Sequence, residues 1–290
     1  MQSIEGMIYA SSSMKKILEI SKKLAKTPVP ILIIGESGTG RKSLACAIHE
    51  FSPNKERQFF SFTYLGHGEK DHSENMKPRI AGFIKANIGT LYIEEIASLP
   101  LLDQLALDNY LKIQESKPSS PNTRVIAATR KDLAGLIKED KFRSDLYFKF
   151  FALNLPPLRE REDDILPLAE FFINKYSKNF KKEISGLDSK SELLIKRHSW
   201  PGNILELENS IRKAVLLAEK SKIVPEDLGL SDQEDNEGYF ELTKAREKFE
   251  KEILERALRR NAGNLTKTAN QLGISRPTLY EMIEKYRIRI

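Results

Sequence analysis

The 290-residue sequence has one cysteine, Cys46, one tryptophan, Trp200, and four histidines. A single cysteine excludes an internal disulfide and suits a reducing cytoplasm. Four scattered histidines and one thiol offer no ligand spacing for a structural zinc site. No apolar run approaches the ~20 residues that cross a bilayer. The opening MQSIEGMIYASSS has no basic segment followed by an apolar stretch, so no secretory leader is expected. Internal repeats are also lacking. A cytoplasmic, globular chain of two domains, with or without a small appendage, is the expectation, with no membrane partner.

Charge is close to balanced except at one place. The formal net charge is +6, yet Lys251–Ile290 alone holds nine Lys/Arg against four Glu, so nearly all the excess lies there. A local basic excess attracts polyanions, although a solvated helix face would look the same.

Along the chain, MKKILEISKKLAK (14–26) has helical apolar spacing, and ILII (31–34), bounded by Pro and Gly, reads as a buried parallel strand. GTLYIEEI (89–96) and TRVIAAT (123–129) read as further buried strands, separated by the helical LLDQLALDNYLKIQ. Alternating strands and helices imply an α/β parallel sheet covered on both faces. After PPLRERED (156–163) only amphipathic helices are expected, so an all-helical subdomain should follow the sheet. The acidic, polar stretch 231–241 reads as a linker, with a long helix at about 242–260 and two shorter ones beyond it. The expected organisation is 1–155, 156–230, the linker and 242–290.

GESGTGRKS (35–43) follows a strand and opens a helix, as a phosphate-binding loop requires. There the backbone N–H groups of Gly35, Glu36, Ser37, Gly38, Thr39 and Gly40 curl around phosphates, and the helix dipole adds to their pull. The motif puts a Lys directly after Gly40, where this chain has Arg41; Lys42 lies one residue on, turned about 100° around the helix. A guanidinium pairs with phosphate oxygens but does not mimic a compact ammonium. A glycine turn without a ligand is the alternative reading of this loop.

NLTKTANQLGISRPTLYEMIEKYRI (264–288) has helix-turn-helix grammar. Asn264 caps the first helix, Gly273 supplies the turn, and Ser275 caps the second, with Pro277 in its first turn. Leu272, Ile274, Leu279 and Ile283 should face inward, leaving Ser275, Arg276, Thr278, Tyr280 and Lys285 as the DNA-binding candidates. A packing module without DNA function is the alternative.

In this order, GESGTGRKSLACAIH, GTLYIEEIASLP, RVIAATRKDL, FRSDLYFKF, LPPLREREDDI and WPGNILELENSIRKAV resemble the AAA+ domain of the bacterial sigma-54-dependent transcription activators. GNLTKTANQLGISRPTLY resembles their Fis-type DNA-binding domain. The resemblance implies a P-loop sheet with a helical lid, followed by an all-α helix-turn-helix domain. It implies ATP or ADP with Mg²⁺ as cofactor, and a dimer formed through the C-terminal domain that reads palindromic double-stranded DNA. A ring built on the AAA+ body, and RNA polymerase or a paralogous activator as partner, are also implied.

The same resemblance exposes departures. The family's phosphate-loop Lys corresponds to Arg41. Its metal-holding Asp corresponds to Glu94, beside the intact base candidate Glu95. The Asn that switches that base corresponds to Thr63, the Asn sensing the third phosphate to Arg130, and the lid Arg to Leu205. Of two arginines acting on a neighbouring subunit, Arg143 remains and the other corresponds to Lys149. The sigma-contacting GAFTGA motif is replaced within HGEKDHSENMKPRIAGF (67–83). Phosphoryl transfer depends on positioned charge, so six altered positions lead us to expect a DNA-binding regulator with little ATP hydrolysis and vestigial Glu95 and Arg143. An ATP-hydrolysing activator, and a subunit that poisons rings of active paralogues, are the other readings.

Overall fold

The computed structural model describes residues 2–4, 7–64, 80, 82–83, 89–116, 123–230, 254, 257–258, 260–261 and 264–286. They fall into two units, Met1–Leu230 and Ser231–Ile290. The expected linker, most of the expected 242–260 helix and most of 67–83 lie outside the described residues.

The first unit is built on five parallel strands. Strands β1 (Gln2–Ile4) and β2 (Met7–Tyr9) form an antiparallel hairpin, followed by helix α1 (Ser12–Ala25). The sheet proper contains β3 (Ile31–Ile34), β4 (Phe59–Phe62), β5 (Thr90–Ile93), β6 (Arg124–Thr129) and β7 (Phe151–Asn154), in the order β4-β5-β6-β3-β7. Central strand β3 pairs with β6 on one side and β7 on the other. Ile31, Leu32 and Ile33 are fully buried because both faces of the sheet are covered. Strands β4 and β7 are short edges with half-buried or mostly exposed residues.

Helix α2 (Arg41–Glu50) leaves the carboxyl end of β3, and α3 (Leu101–Ser116) joins β5 to β6. Short helices α4 (Leu133–Lys138) and α5 (Ser144–Tyr147) lead into β7. Arg124 is buried at the start of β6, where its guanidinium donates to the carbonyls of Leu24, Ala25 and Thr27 at the end of α1. These bonds satisfy carbonyls that a helix end leaves without partners. Burial lowers the Arg124 pKa to about 10.

Beyond β7 come α6 (Ile165–Phe180), α7 (Ser189–Arg197), α8 (Asn203–Leu217) and α9 (Pro225–Leu228). This lid is not wholly helical, as the sequence led us to expect. β8 (Gly186–Leu187) pairs in parallel with β9 (Lys222–Ile223), and two-residue strands are too short to show a periodic signal. Trp200 fills the lid core among Phe172, Ile195, Leu207 and Ile211, and its Nε1 donates to the Ile195 carbonyl at 2.8 Å. The hairpin ties lid to sheet: alternate residues of β2 point to opposite sides, so Ile8 enters the lid core while Met7 and Tyr9 enter the sheet core.

In the second unit, α10 (Leu265–Leu272) and α11 (Arg276–Lys285) enclose a small core of Leu254, Leu258, Ala269 and Leu279. Among the described residues, no helix of either unit is long and apolar enough to cross a membrane.

Trp200→Ala should destabilise the first unit by about 3–5 kcal/mol, the usual cost of emptying a buried aromatic site. Urea unfolding followed by far-ultraviolet circular dichroism, which does not need the lost indole, checks this.

Candidate nucleotide site and DNA-facing helix

The loop between β3 and α2 is shaped by its glycines and closed by the lid. Gly38 and Gly40 have φ of +77° and +97°, in the left-handed region that side chains disfavour. Gly40 caps α2, and no side chain accepts a bond from the helix's first N–H groups. A Cβ at Gly38 would lie 2.2 Å from the Gly202 carbonyl oxygen, so the close approach of the lid itself requires glycine. Lys42 is exposed on the outer side of α2.

The lid and the segment leading to it bind the carbonyl side of this loop. Ile204 N donates to Gly38 O at 3.0 Å, and Asn203 Nδ2 donates to Ser37 O at 2.9 Å and to a Glu36 carboxylate oxygen at 3.1 Å. Asn203 is fully buried with φ of +55°, and its Oδ1 accepts from Leu158 N at 2.7 Å. Arg161 donates to Thr39 O at 2.7 Å. It also lies 3.9 Å from buried Asp164, whose carboxylate accepts from the N–H groups of Ala10 and Ser11. Arg159 forks onto Glu36 at 2.6 and 2.9 Å, which, with Asn203, holds the Glu36 pKa down at about 2. With the carbonyls so engaged, the N–H ends of the loop and the first turn of α2 are left for an anion.

Beside Gly40 is a cavity of about 300 Å³, lined by Met7, Ile8, Phe171, Phe172, Ile204 and Arg161 among others. Its size and apolar walls with a few polar groups match a small-molecule site. Arg161 Nε is buried there without a hydrogen-bond partner.

The carboxylates follow β5. Glu94 accepts from the Thr63 hydroxyl at 2.6 Å. Glu95 accepts from the Thr129 hydroxyl and, at 3.2 Å, from Arg130 N. The position that the resemblance assigns to switching Glu95 therefore reaches Glu94 instead. Arg41 turns across the site, its guanidinium 3.9 Å from Glu95; the side chain is 13% exposed, with one nitrogen buried and unbonded. Leu205 is half exposed and lies beside Gly38, where it brings an isobutyl group and no charge. The Arg130 side chain faces a second cavity with Glu36 and Glu160. Arg143 is held by Asp145 at 2.5 and 3.1 Å, and Lys149 by Glu115 at 2.8 and 2.9 Å.

The structure thus brings Gly35–Gly40, Arg41, Glu94 and Glu95 together and leaves Arg143 in an exposed pair of its own. Sequence reasoning missed Asn203, Arg159, Arg161 and Asp164. A hint was available in Asn203 itself: an Asn after Gly tolerates the left-handed backbone that this approach demands.

In the second unit, Asn264 Oδ1 accepts from Lys267 N at 3.1 Å and Gly273 turns at φ +66°. The Ser275 hydroxyl caps α11 through Thr278 N at 3.2 Å and bonds the Thr278 hydroxyl at 2.7 Å. Arg276, Thr278, Tyr280 and Lys285 are exposed, while Leu279 is fully buried. The Lys285 ammonium lies 5.0 Å above the Tyr286 ring.

Gly38→Ala should force the lid off the loop, because its methyl group and the Gly202 carbonyl cannot share the same space. The expected outcome is faster amide exchange at Ile204, read by hydrogen-deuterium exchange, with the sheet strands unchanged.

Residues 7–156 match the family described as the sigma-54 interaction domain, 159–244 the AAA+ ATPase lid domain, and 245–286 the bacterial regulatory protein, Fis family. The transcriptional regulatory protein ZraR of Klebsiella oxytoca is 31% identical over 97% of this chain and 69% of its own length. The regulatory protein AtoC of Escherichia coli K12 is 33% identical over 96% and 67%. NtrX from Brucella abortus, solved in complex with ATP, superposes with a TM-score of 0.62 at 25% identity, over 97% of this chain and 69% of that one. The chain spans about two thirds of each. It belongs to the family of sigma-54-dependent bacterial transcription regulators, built from an AAA+ body with its lid and a Fis-type helix-turn-helix.

Proposed function

We propose that this chain is a sequence-specific DNA-binding transcription regulator whose AAA+ body holds a nucleotide without turning it over efficiently. The carrying observation is helix α11. It is pinned by buried Leu279 and capped by Ser275, and it presents Arg276, Thr278, Tyr280 and Lys285 outward from the most basic stretch of the sequence. Arg276 at its first turn suits a bidentate bond to guanine, while Lys285 suits a phosphate. Pairing of two such units would read a palindrome with half-sites about 34–36 Å apart.

The body fits a nucleoside phosphate. The cavity beside Gly40 offers apolar walls for a base, Arg161 Nε there has no hydrogen-bond partner, and the Arg41 nitrogen 3.9 Å from Glu95 makes no hydrogen bond. NtrX, which shares this fold, is solved with ATP and with ADP. When bound, a nucleotide would bring phosphate charge to the loop N–H groups. Mg²⁺, which commonly takes one or two carboxylates plus phosphate oxygens, would have Glu94 available beside it. Against turnover stand Arg41 pairing with Glu95, Thr63 bound to Glu94, Arg130 without a neutral amide, and Leu205 without charge. We place the protein in the cytoplasm as an oligomer, dimeric through its C-terminal domain and able to form rings through its body. With no GAFTGA motif in 67–83, the usual contact with sigma-54 is replaced by another link to RNA polymerase or to a paralogous activator.

Titration of the full chain against its target duplex tests the DNA reading. Arg276→Ala should cost about 1–3 kcal/mol on the target and relax base preference, whereas Lys285→Ala should weaken all sequences alike and reduce the salt slope by about one. Wild-type binding by both variants would remove α11 from the groove.

A further inference from the structure

Arg41 stands where a phosphate loop aims its cation at the second and third phosphates of a nucleotide. Its guanidinium is already engaged. The nitrogen that faces Glu95 at 3.9 Å is buried and makes no hydrogen bond, and the side chain is 13% exposed. Glu95 is held in place by the Thr129 hydroxyl on one oxygen and by Arg130 N on the oxygen that faces Arg41, so the pair does not drift apart freely.

The surroundings of this pair are poor in positive charge. Glu94 adds a second carboxylate next to Glu95 in the chain, Leu205 brings no charge from the lid, and Arg130 lines a cavity that also has the carboxylates of Glu36 and Glu160. A third phosphate reaching this corner must pull Arg41 from Glu95. That leaves a poorly solvated carboxylate uncompensated, which is costlier than never forming the pair. The second phosphate is also cradled by the loop N–H groups, so a diphosphate is held without drawing Arg41 off Glu95.

Resting on the nucleotide reading above, we infer that the Arg41–Glu95 pair makes this phosphate loop select a nucleoside diphosphate over the triphosphate. Glu95 acts as a resident anion that stands opposite Arg41 in place of a third phosphate. The body is then set by the diphosphate form of the nucleotide pool, and hydrolysis is not needed to reach that form.

Isothermal titration of the full chain with ADP and with ATP, each with Mg²⁺, tests the inference. The native chain should bind ADP at least about tenfold more tightly. Glu95→Gln, which removes the resident charge, should tighten ATP by about tenfold and bring the ratio near one. Arg41→Lys, whose shorter and more compact cation loosens the pair, should move the ratio the same way. Thermal melts of each variant establish that the body is folded. Equal affinities in the native chain, or a ratio that collapses only because ADP weakens, would overturn the selectivity and leave the nucleotide reading standing. Binding of neither nucleotide by the native chain would overturn both.

Discussion

The site depends on a seam between the glycine loop and the first residues of α8. Gly38 gives up a side chain so that Gly202 can approach, Asn203 takes a left-handed backbone to reach Ser37 and Glu36, and Ile204 closes the seam with a main-chain bond. Gly38 has a backbone reason for its identity, Asn203 adds its side-chain amide, and Ile204 contributes only its main-chain N–H. Because the lid binds carbonyls, the loop's N–H groups are left for the phosphates of the proposed nucleotide. A buried chain from Thr39 through Arg161 and Asp164 to Ser11 extends this constraint to the N-terminal hairpin, whose β2 side chains enter both cores. Sheet, lid and hairpin therefore form one mechanical unit.

Within that frame the charges are arranged unlike those of a working phosphoryl-transfer site. Catalysis of that reaction needs cations aimed at the developing charge and a base free to orient water. Four cations of the first unit have a carboxylate close by on the same chain: Arg41 has Glu95, Arg143 has Asp145, Lys149 has Glu115, and Arg159 has Glu36. Exposed pairs such as Arg143–Asp145 are weak and exchangeable. The Arg41–Glu95 pair is shielded, so separating it is the costlier step. On the proposed reading, scaffold and chemistry have diverged: the cradle is kept while Arg41 and Glu95, which would act on a nucleotide, face one another.

Much of this was legible in the sequence. ILII announced the central strand because a strand buried on both faces cannot alternate. The order of long motifs gave the fold, and the spacing after Gly40 exposed Arg41 as an anomaly. Edge strands β4 and β7 and the β8–β9 bridge were not legible, since four-residue or two-residue strands on a partly exposed face leave no periodic trace. Nor were the long-range partners legible. Asn203 with Glu36, and Arg161 with Thr39, are separated by more than a hundred residues and meet only once sheet and lid have folded. In the helix-turn-helix the caps Asn264 and Ser275 act within three residues of themselves, so local sequence sufficed to place them.

The central claim is that substitution of charged groups, and not loss of the fold, keeps the body from turning over its nucleotide. Its most direct test is steady-state phosphate release by the native chain beside a variant carrying Arg41→Lys, Thr63→Asn, Arg130→Asn and Leu205→Arg, both saturated with ATP and Mg²⁺. The native chain should stay at background while the variant rises at least about tenfold, a difference of roughly 1.4 kcal/mol in the barrier. Native turnover equal to that of the variant would contradict the claim.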